Sequence, residues 1–462
     1  MKKIKYRIEH DSIGDIKVPA DRLWGAQTQR SVINFKIWHD KVSLDVIYAV
    51  AVVKYACAEA NYKCGKLSKF KKNLIQKVCF EILDGKLDKE FTNSAYQGGA
   101  GTQTNMTVNE VIARRGNQIA RKKILHENDD VNMSQSTNDV IPTAFNIAAL
   151  YLLRKHLYPA VDGLIETFRK MEQKYKDIVK MGRTHIQDAV PITFGQEVSG
   201  WRAAVENGKE MVVVASKSLL VSTLGATAVG TGSTAPLKKG YAKYACDALN
   251  RILKTDKFQV TNNMFQSTWS KDQFVFISGA IKALAMNLYK ISQDVRVLAS
   301  GPRSGFGEIN IPQNEPGSSI MPGKVNPTQC ELMSMACDQV VGHDINISLL
   351  ASQANFELNT FGTFLMQNFV QMIGIFSDSI NSFNKNCCVG ITVNANKMKE
   401  YLDNSLMLVT ALKDVIGYEK SSKIAKNALV KGISLKESSA ELGYLTEKEF
   451  DKYIDPKKMC YN

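Results

Sequence analysis

Three long apolar stripes constrain the fold of this chain more than any other feature. In each stripe an apolar side chain recurs every three or four residues, which places the whole set on one face of a long helix. The stripes are Phe274, Ile277, Ile281, Leu284, Leu288, Ile291, Val295 and Leu298; Leu157, Val161, Leu164, Phe168, Met171, Tyr175 and Ile178; and Leu358, Phe361, Leu365, Phe369, Met372, Phe376, Ile380 and Phe383. Such stripes must bury against one another, so they predict a mainly α fold with a central bundle of long, near-antiparallel helices.

The character of the 462-residue chain changes on either side of these stripes. Strand signals are sparse, although residues 4–9 alternate between polar and apolar and could form a short strand or hairpin arm. After about residue 392 the pattern shifts to short helices such as 421–432. We therefore predict three domains: an N-terminal domain 1–136, a central helical-bundle domain 137–392 and a small C-terminal helical domain 393–462.

Composition excludes several classes of protein. The formal net charge of +14 favours anionic partners, but the basic residues are scattered and match no nucleic-acid-binding module. The longest apolar run, 46–53, is far shorter than the about 20 residues of a membrane helix, and no secretory signal is evident. Nine cysteines, an odd number without C-x-x-C spacing, argue against a disulfide framework, a structural zinc site or an iron–sulfur cluster. Reduced thiols in a cytoplasmic protein are expected.

Polar clusters interrupt the apolar pattern at five places. The first three are rich in side chains that can form hydrogen bonds. In 98–106, glycines permit close backbone approach and Thr102 and Asn105 offer neutral hydrogen bonds, although a plain turn explains this run equally well. Residues 126–139 hold more short polar side chains than helix capping needs. In 182–188 His185, one of six histidines, is suited to general acid–base chemistry.

The remaining two clusters differ in how much they indicate. Residues 224–233 contain G-x-G, but Pro236 and the helical surroundings do not fit a dinucleotide-binding unit, so we interpret the run as a flexible connector. Residues 316–331 hold several glycines and prolines, which predict a long irregular loop between two helices. There Lys324 and Asn326 could grip a carboxylate while Ser318 or Ser319 takes a proton.

The loop 317–326 resembles the signature loop of the fumarase/aspartase superfamily. All five clusters occur in the matching order, and with residues 6–9, 24–30 and 443–445 nearly the whole chain resembles the class II (iron-independent) fumarate hydratases. Aspartate ammonia-lyases are the alternative. His185 and the residues 314–316 and 328–331 are fumarase-like, whereas 224–228 and Ala100, where fumarases usually have a substrate-contacting Ser, are aspartase-like. A non-catalytic scaffold on the same fold, like the lens crystallins of a related branch, is disfavoured by the intact reactive set.

The resemblance implies reversible hydration of fumarate to L-malate, a step of the tricarboxylic acid cycle, by anti addition of water through an aci-carboxylate intermediate. Ser318 is then the base that acts on carbon, and His185, oriented by Glu331, handles water on the opposite face. The substrate oxygens would be bound by Thr102, Asn105, Ser136, Thr137, Asn138, Thr184, Ser319, Lys324 and Asn326. No metal or cofactor is expected.

Two further expectations follow from the resemblance. The family fold is a three-domain, mainly α homotetramer in which each active site draws on three subunits. Family members also carry an accessory dicarboxylate-binding spot, which would fall on His126, Glu127, Asn128 and Asp129. Here Glu127 stands where Pro is usual and Lys123 where Arg is common. Because an extra carboxylate repels a dianion, we expect this spot to depart from family behaviour.

Overall fold

Helices dominate the structure, a computed structural model that describes residues 5–254 and 258–460, and the prediction of a mainly α fold is confirmed. The helices are α1 (Ala26–Asn34), α2 (Leu44–Lys63), α3 (Lys69–Leu83), α4 (Thr102–Ala120), α5 (Thr137–Leu152), α6 (Tyr158–Lys174), α7 (Phe194–Ser216), α8 (Tyr241–Leu253), α9 (Met264–Trp269), α10 (Asp272–Leu298), α11 (Thr328–Ala351), α12 (Gly362–Asn386), α13 (Ala395–Asn404), α14 (Lys413–Ile416), α15 (Tyr418–Lys431), α16 (Leu435–Glu441) and α17 (Glu447–Tyr453).

Short strands form two-stranded sheets between these helices. They are β1 (Tyr6–Asp11), β2 (Gly14–Pro19), β3 (Val179–Thr184), β4 (Gln187–Thr193), β5 (Val221–Ser222), β6 (Gln259–Val260), β7 (Ile309–Asn310), β8 (Ala354–Asn355), β9 (Leu358–Asn359) and β10 (Thr392–Val393). The β1–β2 hairpin, paired from Tyr6 opposite Pro19 to Asp11 opposite Gly14, contains the strand expected near residues 4–9. Residue 4 itself lies outside the described part of the chain.

The apolar stripes predict the helices well but not all of their ends. All eight residues of the first stripe are buried in α10. The second stripe continues beyond α6, because Tyr175 and Ile178 lie outside the helix. The backbone carbonyls of these two residues accept hydrogen bonds from Gly195 and Phe194, 3.0 and 2.8 Å away. The polypeptide that returns from β4 therefore ends α6 earlier than the periodicity indicated.

The third stripe also extends beyond its helix. Leu358 lies in β9 and Phe361 is 40% exposed, because α12 begins only at Gly362. Asn359 explains this start. Its side-chain amide donates to the backbone oxygens of Leu350 and Ala351, and its side-chain oxygen accepts from the Phe361 backbone. One buried amide thus satisfies the end of α11 and turns the chain into α12.

The chain divides into two compact units. The first takes its residues from Met1–Pro159, Glu210–Ala283 and Asp338–Ser377, and the second from Ala160–Lys209, Leu284–Cys337 and Asp378–Asn462. In the first unit α2 packs against α3, α5 and α8. In the second unit β3 packs against α13, and an apolar cluster that includes Met181, Leu412 and Phe450 is buried. The division into domains 1–136, 137–392 and 393–462 stays a prediction.

One helix of the described residues, α10, has the length and apolar composition of a membrane span. The longest uninterrupted apolar run did not suggest this, because polar residues punctuate the helix. The eight stripe residues of α10 are all buried inside the protein. Burial of one continuous apolar face is the behaviour of a core helix.

Phe369 offers a test of the helix packing in the first unit. It is fully buried, and its ring meets the Phe274 ring edge-on with centroids 5.4 Å apart. Phe369→Ala should lower the free energy of unfolding by about 3–5 kcal/mol, because it removes buried apolar surface and leaves a cavity. Phe361→Ala is the control and should cost less than about 1 kcal/mol, since that ring is substantially exposed. Denaturant titration of both variants checks this, and equal losses would contradict the packing described.

Candidate active site

In the first unit the structure brings together several of the predicted substrate-binding residues. Asn105 lies one turn into α4, and its amide nitrogen donates to the Thr137 hydroxyl oxygen, 3.1 Å away at the start of α5. Thr102, the first residue of α4, is exposed. The close approach of the two helices requires Gly101, which has a φ of 89° and where a Cβ would lie 3.1 Å from the Ile141 side chain.

Ser136 and Asn138 have structural functions that the sequence analysis did not assign. Ser136 caps α5: its hydroxyl accepts from the Asn138 backbone at 3.2 Å, and its own backbone N–H donates to Asp139 at 3.0 Å. The Asn138 side-chain amide donates to the Ala228 carbonyl, 2.8 Å away. These bonds fix the first turn of α5, with both side chains half-buried.

Asp139 is a buried carboxylate beside the predicted site, and the sequence analysis did not single it out. It is fully buried, and its second carboxylate oxygen accepts from the backbone N–H groups of Gly225 and Thr227 at 3.1 and 2.9 Å. Burial raises its pKa to about 6. The interpretation of 224–233 as a flexible connector is therefore wrong for its first half, which is buried against α5. The three-residue spacing from Ser136 to Asp139 is a capping-box signal that could have indicated this.

A buried lysine sets the orientation of the neighbouring amides. Lys54 is fully buried in α2, and its ammonium donates to the side-chain oxygens of Asn132 and Gln135 at 3.0 and 2.9 Å. The same Asn132 oxygen accepts from Asn105 at 3.2 Å. The Asn105 side-chain nitrogen therefore faces these acceptors, and it donates to the Thr137 hydroxyl oxygen as well. The Thr137 oxygen is thus an acceptor within the protein. Its hydroxyl proton is left for another acceptor, such as a substrate carboxylate.

In the second unit the loop that joins β7 to α11 is held by hydrogen bonds between its own side chains and backbone. The Ser318 hydroxyl oxygen accepts from the backbone N–H groups of Ile320 and Met321 at 3.3 and 3.0 Å. The Asn326 amide donates to the Gly317 carbonyl. A Cβ on Gly317 would lie 2.2 Å from the Lys324 carbonyl, so glycine is required for this closure. Two amide donors on one hydroxyl oxygen favour its anionic form.

The other predicted loop residues are accessible. Ser319 and Lys324 are exposed, and Ser318 and Asn326 are partly exposed. Asn326 uses one hydrogen of its amide within the loop, and an amide nitrogen carries two. A substrate carboxylate could therefore reach Lys324 and Asn326 without disrupting the loop.

His185 lies at the tip of the β3–β4 hairpin. With Ile186 it forms the tight turn, at φ values of 58° and 61°, and both side chains are exposed, as is the preceding Thr184. The base of the hairpin is held by a buried ion cluster that the sequence analysis missed. The fully buried Glu308 carboxylate pairs with Lys180 and Arg183, both at 2.8 Å. The hairpin thus presents His185 from a rigid base.

Glu331 does not contact His185 within one copy of the chain. It lies in the first turn of α11 with its carboxylate 43% exposed, 3.9 Å from the Arg296 guanidinium. No hydrogen bond or ion pair joins it to His185 among the residues that the structure describes. Orientation of His185 by Glu331 stays a prediction.

The four residues of the accessory spot form one tight turn. The His126 ring nitrogen accepts from the backbone N–H groups of Asn128 and Asp129 at 3.3 and 3.2 Å. The Glu127 carboxylate lies 3.8 Å from the other ring nitrogen of His126, and Asp129 lies 3.4 Å from the first. Two carboxylates therefore already surround the histidine. Across residues 5–254 and 258–460, no cluster of three or more His, Cys, Asp or Glu is arranged to hold a metal ion.

Comparison with known proteins shows the family to which the chain belongs. The lyase family pattern matches residues 14–342, and the pattern described as the fumarase C C-terminus matches 408–461. Class II fumarate hydratases of Campylobacter jejuni and Helicobacter pylori are each 49% identical over 99% of both chains. The crystal structure of class II fumarase from Schistosoma mansoni superposes with a TM-score of 0.95 at 35% identity, covering 99% of each chain. The chain belongs to the lyases, and within them to the class II fumarate hydratase family.

The accessory spot yields a prediction about Glu127. Glu127→Pro should strengthen dicarboxylate binding there about two- to five-fold, the size expected for removing one partly exposed charge. Proline fits because Glu127 is the first residue of the turn and His126 before it is extended, with φ −116° and ψ 136°. Occupancy of L-malate in soaked crystals measures the effect, and Glu127→Gln controls for the charge alone. Equal occupancy in the parent and both variants would contradict the repulsion.

Proposed function

We propose that this protein catalyses the reversible hydration of fumarate to L-malate. The observation that carries the proposal is the self-braced loop, in which Ser318 accepts two backbone N–H bonds beside Lys324 and Asn326. A hydroxyl is an effective base only when its anion is stabilised, and these two donors supply part of that stabilisation. Membership of the class II fumarate hydratase family supports the same assignment.

The chemistry requires separate groups on the two faces of the substrate. In the malate-to-fumarate direction Ser318 removes a proton from the carbon beside a carboxylate, and the electron pair moves into that carboxylate as an aci-carboxylate. Lys324 and Asn326 stabilise the additional charge. His185 then protonates the departing hydroxide from the opposite face, which gives anti stereochemistry. In the hydration direction each proton moves the other way.

We propose that the active site is completed in a homotetramer. Within the described residues, the flanks of the reactive groups are apolar and exposed: Ile320 is 82%, Met321 48% and Ile186 70% exposed. Helix α10 also carries exposed Phe276, Met286 and Val297, on positions other than those of its buried stripe. Exposed apolar side chains beside a polar site and along a long helix are typical of subunit contacts. Such contacts would also allow Glu331 of one copy to reach His185 of another.

We further propose a cytoplasmic location and a place in the tricarboxylic acid cycle. All nine cysteines are free thiols, and eight are buried. Reduced thiols are stable in a reducing compartment. The proposed reaction is tested directly by the ultraviolet absorbance of fumarate, measured beside aspartate deamination. Faster deamination of aspartate than dehydration of L-malate would favour the aspartase alternative.

Ser318→Ala should reduce fumarate hydration about 10²–10⁴-fold, because the carbon base is lost while the loop backbone is kept. Turnover and the thermal midpoint are measured together. Ser304→Ala is a matched control, an exposed serine of the second unit that should retain the parent rate. If Ser318→Ala works at a near-normal rate, Ser318 is not the base.

His185→Gln should also reduce fumarate hydration about 10²–10⁴-fold, since an amide cannot accept a proton from water and return it. The KM should change little, because Lys324 and Asn326 still hold the carboxylate. His10→Gln, which alters an exposed histidine on β1, is the control. Hydration within a few-fold of the parent would exclude His185 from the acid–base step.

A further inference from the structure

Lys271 is a buried cation that forms no ion pair among the described residues and has no part in the mechanism proposed above. It directly precedes α10 and is 3% exposed. Its ammonium donates to the backbone carbonyls of Thr268 and Ser270 at 3.2 and 3.0 Å. These acceptors are neutral, and no carboxylate lies within ion-pair distance among the residues that the structure describes. An ammonium carries three N–H donors, so one remains for a further acceptor.

Lys271 lines a small cavity whose wall also includes two predicted substrate-binding residues. Lys271, Thr137 and Asn138 all contribute to its wall, together with Ala100, Ile141, Pro142, Phe145, Thr268, Leu358, Asn359 and Gly362. The wall contains no carboxylate. The cavity is small, with room for one water-sized group such as a carboxylate oxygen.

The backbone around this cavity adds to its positive potential. Thr137, Asp272 and Gly362 are the first residues of α5, α10 and α12, and Ala100 lies two residues before the start of α4. Four helices therefore begin at or beside the cavity. The amino end of a helix carries partial positive charge, so the four starts and the ammonium act with the same sign, and the Asp139 and Asp272 carboxylates in the first turns of α5 and α10 offset part of this potential.

The charge of the substrate indicates what Lys271 could bind. Fumarate and L-malate are dianions, whereas the predicted substrate-binding set contains one permanent cation, Lys324. The Ala100 side chain contributes no hydrogen-bond donor to the cavity, and the Thr137 hydroxyl contributes one proton. Lys271 is the strongest donor in the wall and would balance the second carboxylate.

We propose that Lys271 is a further substrate-binding residue whose charge makes the site selective for a dicarboxylate; this assignment rests on the proposed fumarate hydration. A buried cation with only carbonyl partners destabilises a fold, and replacing it with an apolar side chain of similar length is often neutral or stabilising. The two carbonyl bonds at the end of α9 give Lys271 a structural function, but they do not neutralise its charge, which a bound anion would.

Lys271→Met separates the two explanations. The KM for fumarate and for L-malate should rise about ten- to a hundred-fold, the range expected for losing a hydrogen bond to a charged group, while kcat stays within a few-fold. The thermal midpoint should not fall. Lys271→Arg, which keeps the charge, should restore most of the affinity. Lys69→Met removes an exposed lysine of the first unit, so it controls for net charge and should leave KM unchanged.

The pH profile of the unmodified enzyme gives an independent readout. Burial lowers the pKa of Lys271 to about 8, and the one charged group that opposes this shift is its neighbour Asp272. The ammonium is protonated below that pKa, so kcat/KM for fumarate should fall as the pH rises above about 8. This alkaline fall should be smaller in Lys271→Met, in which only Lys54 with its pKa of about 8 still titrates beside the site, and it should move to higher pH in Lys271→Arg.

The outcomes are distinguishable from failure of the proposed reaction. If the parent does not hydrate fumarate, the proposed function fails before Lys271 is tested. If the parent is active but Lys271→Met keeps the parent KM, Lys271 does not bind substrate. If Lys271→Met does not fold, a parent profile of kcat/KM that is flat above pH 8 equally overturns the assignment.

Discussion

Burial of one apolar face along each long helix is the constraint on which the rest of the structure depends. In α10 this face is closed to solvent at every stripe position from Phe274 to Leu298. Hydrophobic burial fixes where helices lie but not what stands at their ends, where unpaired backbone N–H groups must find partners. The predicted substrate-binding residues of the first unit lie at such ends. Thr102 opens α4, and Thr137 opens α5.

Polar side chains at these helix starts therefore serve the fold and the site together. Ser136 and Asp139 satisfy the first turn of α5, and Asp139 also accepts two N–H bonds from the buried loop that contains Gly225 and Thr227. Burial raises the Asp139 pKa from 3.8 to about 6, so between these values the folded state binds more protons than the unfolded state. Its effect on stability is thus unfavourable as the pH rises from about 4 to 6, and the backbone donors offset part of that cost.

The sequence predicted what periodicity and composition determine locally. Eight buried positions of α10, the short hairpin at β1 and the mainly α class all follow from residue spacing. The early end of α6 and the late start of α12 do not, because each depends on a bond from elsewhere in the chain: the return from β4 onto Tyr175, and the Asn359 side chain onto α11. The candidate site shows the same difference between local sequence signals and contacts made in the folded chain. Loop residues such as Ser318 were recognisable from their motif, whereas Asp139, Lys54 and Glu308 gain their importance only from burial.

The two buried lysines of the first unit show why burial alone does not reveal function. Lys54 and Lys271 are both enclosed, and burial lowers the pKa of each to about 8. The ammonium of Lys54 donates to two side-chain amide oxygens and orients the hydrogen bonds that lead to Thr137. Lys271 meets only two backbone carbonyls, beside a cavity without a carboxylate. Equal pKa shifts thus accompany different surroundings: Lys54 orients amide side chains inside the protein, whereas Lys271 lines a cavity that an anion could enter.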